Sequence, residues 1–575
     1  MKSKKSSLYV LIFFVAIFSY TPIAFAQLPQ TWDEENQLWQ IDRKILSTDF
    51  DLGNRYGLSD SDLLDNKLKG ELHALIYPVD VTAMLIPFES FTNFLNNDKA
   101  KNLWQVLLKQ VVPWKSADDF YAWSGFHTHP AKAYPQGNIQ WPNTHPDIQN
   151  KMANNVMGAT IINREIVYQD FLGKVHRQNV KGLTFSCAGC HSGELFGKKI
   201  LGLTNRFPRA NELFEKAKKV APVVNKNIYS GVMKASAAEG MMFQQTKNAL
   251  KFVGTKMPLQ LGLDTSLAQV GISLNLRAND EDASKKFDDY PLNKIPADSK
   301  PMVWWNVKYK TKFLSDGALI SGNPIFTNIL WNELGRGTDL KELSTWLNQN
   351  QKTLQELTVM VFDTKAPKYT DFFGTRSINL QRAQRGEKHF IQSCQKCHGI
   401  YEKNWSTLET VKVTYHEVTP VIDVGTDAKR YEGIQYFADG LNRLKISRQF
   451  GTIIKAQKGY VPPPLEGIWA RYPYFHNNSI PNLCALLTSS EKRPTTYYAG
   501  EAIDANRDFD HECVGYPLGD KSPKEWQKNQ EYFYDTKRVG LTNSGHDKKI
   551  FLTTDGQEIF NPEQKLELIE FLKTL

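Results

Sequence analysis

The stretch TFSCAGCHSGEL, residues 184–195, contains Cys187, Cys190 and His191 in the order C-x-x-C-H. Two thiols at this spacing add to the vinyl groups of a haem, and the imidazole beside the second thiol reaches the iron. The pattern recurs in CQKCH as Cys394, Cys397 and His398. In a chain with 6 Cys and 12 His, one accidental match is expected about 10⁻³ times and two about 10⁻⁶ times. Zinc would want four closed ligands, such as two C-x₂-C units converging on one ion. Here each cysteine pair has its own histidine, so the motifs predict two covalent c-type haems.

The first 26 residues, MKSKKSSLYVLIFFVAIFSYTPIAFA, have a basic start, an apolar run and a small-x-small end at Ala24-Phe25-Ala26. This is the pattern of an export signal cleaved between Ala26 and Gln27, and the periplasm is the expected address. No later segment approaches the ~20 uncharged apolar residues of a spanning helix, so no membrane span is expected. The haem motifs use four cysteines, and Cys484 and Cys513 remain for a disulfide in an oxidising compartment. The net charge of +9 includes Lys2, Lys4 and Lys5 of the leader. No Lys/Arg block points to nucleic acid. The basic runs KYKTK (308–312) and GKK (197–199) read as solvated faces or as a docking rim for an acidic redox partner.

The expected fold is mainly α: two cytochrome c-like haem domains with long loop-rich insertions and an N-terminal extension. Residues 27–150 form the extension, with no assignable fold; residues 151–375 carry the first haem and 376–575 the second. Ahead of the second motif, INLQRAQRGEKHFIQSCQKCHG is helical, with Gly386 and Phe390 on one face to let another helix cross closely. The partner is NPEQKLELIEFLKTL at the C-terminus, with Asn561 as N-cap and Pro562 at the first helical position. Around the first motif, NREIVYQDFLGKVHRQ (163–178) and NELFEKAKKV (211–220) are both expected to be helical.

What holds the far face of each iron separates an enzyme from a carrier. No methionine follows Met360, so a histidine is expected at the second haem. His546, in LTNSGHDKK just before the closing helix, is the first choice and His476 the second. Between His191 and His389 there is no histidine, only Met233, Met241, Met242, Met257, Met302 and Met360. Upstream stand His127, His129, His145 and His176. An open first haem would bind peroxide or dioxygen. A six-coordinate one, completed by Met233, Met241 or Met257, would make the chain a non-catalytic electron-transfer cytochrome.

Two such motifs, with GIWARYPYFHNNSIPNL (467–483) after the second, resemble the bacterial di-haem cytochrome c peroxidase superfamily. The stretches PMVWWNVKYK (301–310), KRPTTYY (492–498) and TNSGH (542–546) look more narrowly like its rubber oxygenase branch. This chain departs at Asn478, where the superfamily usually has Gly, and lacks the displaceable histidine that ordinary di-haem peroxidases place shortly after the first motif. The resemblance implies His398 and His546 as the ligand pair of an electron-relaying haem and His191 as the sole protein ligand of a reactive one. It implies that Trp304 or Trp305 lies between the haems as a stepping stone for an electron; a core aromatic pair is the plainer alternative. His476 would support the haem surroundings. The expected chemistry uses peroxide, with electrons from a small cytochrome or cupredoxin, or dioxygen to cleave an apolar olefin, with Phe313, Leu319 and Ile320 as candidate apolar lining. A calcium ion between the domains stays an open expectation.

Overall fold

Two helix crossings, built alike, organise the chain. The computed structural model describes residues 30–33, 38–41, 54–97, 106, 114–130, 139–277, 290–320, 323–547 and 550–575; the expected export signal lies outside them. In the C-terminal crossing, helix Leu380–Ser393 meets helix Pro562–Leu572, which starts with Asn561 and Gln564 in a reciprocal capping box. Gly386 sits at the contact: a Cβ there would lie 1.9 Å from the Glu567 carbonyl oxygen, so only hydrogen fits. Phe390 packs on Phe571 with ring centroids 5.1 Å apart. His389 Nε2 donates to the Glu567 carboxylate at 2.8 Å.

The other crossing repeats the close glycine contact and the histidine–glutamate pair. Helix Asp60–Leu75 lies against helix Gln351–Asp363. A Cβ on Gly70 would come 2.0 Å from the Glu356 carbonyl oxygen, and His73 Nε2 donates to the Glu356 carboxylate at 2.9 Å. The repeat is written in the sequence: KGELH (69–73) and RGEKH (385–389) share Gly, Glu and His, while QELTVM (355–360) and LELIEF (566–571) share Glu-Leu. Helix 60–75 packs against the turn Cys187–Gly189, as helix 380–393 packs against the following Gln395–His398. Part of the expected N-terminal extension therefore supplies a helix to the surroundings of the first motif.

Around that motif one expectation fails. NREIVYQDFLGKVHRQ is not helical; it forms most of a hairpin of strands Ala159–Gln169 and Val175–Phe185. Its β-branched and aromatic residues suit a strand, and Asp170-Phe-Leu-Gly173 is a turn. Asp170 Oδ1 accepts from the backbone N–H groups of Leu172 and Lys174, and Gly173 takes φ 81°. NELFEKAKKV does form a helix, Ala210–Val220. With about 43% helix and 14% strand, the described residues are mainly α.

Two large apolar clusters fill the interior. One holds Tyr77, Trp304, Phe313, Leu319 and Trp331, with Cys187 packed on it. The other holds Trp305, Phe390, Trp469 and Phe571, with Cys394 packed on it. Both draw residues from either side of position 375. Among the described residues no helix is long and apolar enough to cross a membrane. Within the loop-rich 399–561 region, Cys484 and Cys513 are joined in a disulfide, 29 residues apart in sequence. Thiol labelling of the unfolded, unreduced protein should find neither of them reactive, and two labelled thiols would contradict the bond.

Candidate haem sites

Both motif histidines are held in the same way. His191 Nδ1 donates to the Met302 carbonyl at 2.9 Å, and His398 Nδ1 donates to the Pro463 carbonyl at 2.8 Å. A proton fixed on Nδ1 leaves Nε2 with its lone pair available to a metal. Burial pulls the pKa of each imidazole down to about 4, which keeps both rings neutral. The thiols of Cys187, Cys190, Cys394 and Cys397 are free, and burial pushes Cys187 up to about 11 and Cys190 and Cys394 up to about 12.

The second motif opens onto a cavity of about 240 Å³ lined by Cys394, Cys397, His398, His476 and His546. Apolar side chains, among them Leu465, Ile468, Leu483 and Leu568, form much of the rest. His546 sits at φ 61° after Gly545, and its backbone N–H is tied to the Val424 carbonyl at 3.0 Å. Its ring stacks on Phe475 at 5.0 Å, and among the described residues its buried Nδ1 has no hydrogen-bond partner. Burial lowers its pKa to about 3, and the nearby His398 adds to the shift. His476 also faces the cavity, but its ring stacks on Tyr460 at 4.0 Å, and Arg430 and Lys300 are its charged neighbours. The other downstream imidazoles are engaged elsewhere: His416 donates to the Cys397 carbonyl at 3.1 Å, and His511 bonds Tyr369 and the Ala505 carbonyl. The donor set, the apolar walls and the unpartnered imidazole fit a haem attached at Cys394 and Cys397.

The segment 301–305 joins the two motifs. The Met302 carbonyl orients His191, while Met302 and Val303 also line the second cavity. Trp304 lies beside His191, with ring centroids 5.2 Å apart and planes tilted by 32°. Its neighbour Trp305 belongs to the other apolar cluster and donates Nε1–H to the Glu466 carbonyl at 2.9 Å. The two indoles thus face opposite clusters.

At the first motif, the upstream imidazoles mostly have other roles. His127 pairs with Glu194 at 3.5 Å, His145 caps helix Pro146–Lys151, and His176 pairs with Asp170 at 2.8 Å. His129 is buried at 4% exposure. The candidate methionines lie away from the Cys187 cluster: Met233 and Met241 pack into clusters with the hairpin, and Met257 is 45% exposed. Phe313 and Leu319 share the apolar cluster on which Cys187 packs and are bridged backbone to backbone, while Ile320 bonds Ile453.

The basic run KYKTK is not wholly a solvated face. Lys310 is 3% exposed and lines the second cavity, because the short turn Val307–Tyr309 rolls the following residue inward. Among the described residues no group of three or more His, Cys, Asp or Glu is arranged to hold a metal ion, so calcium finds no support there.

Comparison with known proteins agrees with this geometry in one segment. Residues 459–498 match the family described as RoxA-like, cytochrome c-like. That segment carries Pro463, which holds His398, and lines the second cavity through Arg471, Phe475 and His476. The uncharacterized protein y4iJ of Sinorhizobium fredii is 28% identical over 260 residues, 36% of this chain and 40% of that protein. The uncharacterized protein y4iM of the same organism is 28% identical over 226 residues, 34% of this chain and 49% of that protein. The chain thus matches less than half the length of these relatives. A cytochrome c-like domain is present and implies a c-type haem, and the match supports a RoxA-like cytochrome family and, with it, a haem oxidoreductase.

Proposed function

We propose that the chain is a periplasmic di-haem oxidoreductase of the cytochrome c peroxidase superfamily, with a reactive haem at Cys187 and Cys190 and an electron-relaying haem at Cys394 and Cys397. The observation that carries this is the duplicated cradle: each C-x-x-C-H histidine donates Nδ1–H to a carbonyl, and each motif lies beside a Gly-Glu-x-His helix crossing. Haem iron, when bound, supplies one-electron chemistry and a position for a small ligand.

His398 and His546 act as the ligand pair of the relaying site. His191 is the protein ligand of the reactive site, fixed in tautomer by Met302. Trp304, touching His191, and Trp305, in the other cluster, carry the electron between the two. The apolar company of Phe313 and Leu319 supports dioxygen and an apolar olefin as reactants; peroxide with a small cytochrome or cupredoxin donor is the alternative. Oxygen uptake on adding an olefin, without reductant, distinguishes the first from peroxide consumption coupled to a reduced donor.

A haemochrome assay should give about two haems per chain; about one would defeat the proposal. The reduced protein should take up about one CO per two haems. The second reading, a pure electron carrier, draws on His129, the one upstream imidazole that, among the described residues, has neither an ion pair nor a helix-capping role. It predicts that the wild type binds no CO at either iron.

A further inference from the structure

The cavity at the second motif has a one-sided charge. Among the described residues, its ionisable lining consists of cysteines, tyrosines, histidines and four cations, Lys300, Lys310, Lys396 and Arg471, with no aspartate or glutamate. Lys396, in the motif itself, points to solvent. The other three are drawn inward. Lys300 Nζ donates to the carbonyls of Arg471, at 3.0 Å, and Pro473, and Arg471 Nη1 donates to the Pro464 carbonyl at 2.8 Å. These two cations therefore also brace the backbone of the cavity wall. Lys310 has no such duty: among the described residues its ammonium has no hydrogen-bonding or acidic partner. Burial, and secondarily Arg471, lowers its pKa to about 7. The nearby acid, Glu466, is half-buried, bonded to Tyr309 and outside the cavity lining; desolvation holds it above its usual range, and its charged neighbours are Lys308 and Arg471.

Removing an ion from water is costly unless an opposite charge compensates it. A buried Lys310, with half-buried Lys300 and Arg471 beside it, around one apolar cavity whose described lining holds no aspartate or glutamate, calls for a ligand with an apolar body and carboxylates at one edge. We propose that Lys310, with Arg471 beside it, receives a propionate carboxylate of the haem attached at Cys394 and Cys397 and thereby holds up that haem's reduction potential. This rests on the two-haem reading above. Lys310 acts as a positioning residue. A cation paired with the propionate cancels negative charge near the iron and so favours the reduced state.

The test uses the holoprotein, with haem content and potentiometric titration measured together. Lys310→Met should keep the wild-type haem content while the midpoint of the second haem falls and that of the first stays. Lys310→Arg should restore the midpoint. If Lys310→Met does not accumulate, Lys310→Gln is assayed the same way. A second-haem midpoint unmoved by loss of the charge, with haem retained, overturns the pairing. Wild-type protein with about one haem per chain, none of it at Cys394 and Cys397, overturns the two-haem reading itself, and the pairing with it.

Discussion

Replacing His546 by alanine should raise CO uptake by the reduced protein from about one to about two molecules per chain, because the second iron loses a ligand that no other side chain replaces. The geometry around His546 favours this strongly. A non-glycine residue at φ 61° costs about 1–2 kcal/mol relative to the right-handed conformation. The backbone accepts that cost while its N–H is fixed to Val424 and its ring is stacked on Phe475, so the imidazole is held facing the cavity. No methionine follows Met360, and His416 and His511 are committed to other partners. His476 is the competitor, since it lines the same cavity. Its face-to-face stack with Tyr460 ties it into the wall, so His476→Ala should leave CO uptake near the wild-type value. The reverse pattern, conversion by His476→Ala and an unchanged spectrum in His546→Ala, would assign ligation to the wrong-looking histidine and reject His546.

The parts of this architecture that could be read in the sequence are those whose signal is local. C-x-x-C-H is a contiguous chemical unit, and the closing helix announces itself through Asn561, Pro562 and a run of spaced leucines. Over 163–178 the sequence does not separate helix from strand, because Ile166, Val167 and Tyr168 fall among charged residues at spacings that suit either; Asp170 and Gly173 decide in favour of a turn. The first helix crossing is hidden from the sequence for a different reason. At the second motif, Gly386 is eight residues from Cys394, but Gly70 is separated from Cys187 by more than a hundred, so the pairing is visible only in space. The signal was nevertheless present: KGELH and RGEKH can be aligned by eye. Lys310 escaped because a lysine in a basic run is usually solvated, and nothing in KYKTK reveals which of its lysines faces inward.

Gly386→Ala and Gly70→Ala should each destabilise the protein by about 2 kcal/mol or more, against the direction that helix propensity alone predicts. Glycine to alanine in a helix interior ordinarily gains about 1 kcal/mol. Here the new methyl would sit 1.9 Å from the Glu567 carbonyl oxygen, or 2.0 Å from that of Glu356, far inside the roughly 3.5 Å of ordinary contact. Both obstructing atoms are backbone, inside a helix that cannot turn aside as a side chain can. The helices must separate, which breaks the packing of Phe390 on Phe571 in one case and of Met360 over Gly70 in the other, at about 3 kcal/mol, the upper end for a forced overpacking. The two losses should also be local. Because each crossing packs against its own motif, mass spectrometry of haem-bearing peptides should show Gly70→Ala depleting haem at Cys187 and Cys190, and Gly386→Ala depleting it at Cys394 and Cys397. A gain in melting temperature in either variant would mean that the helices are not in contact at that glycine. Equal depletion at both motifs would mean that the two crossings fold as one cooperative unit and do not serve separate haems.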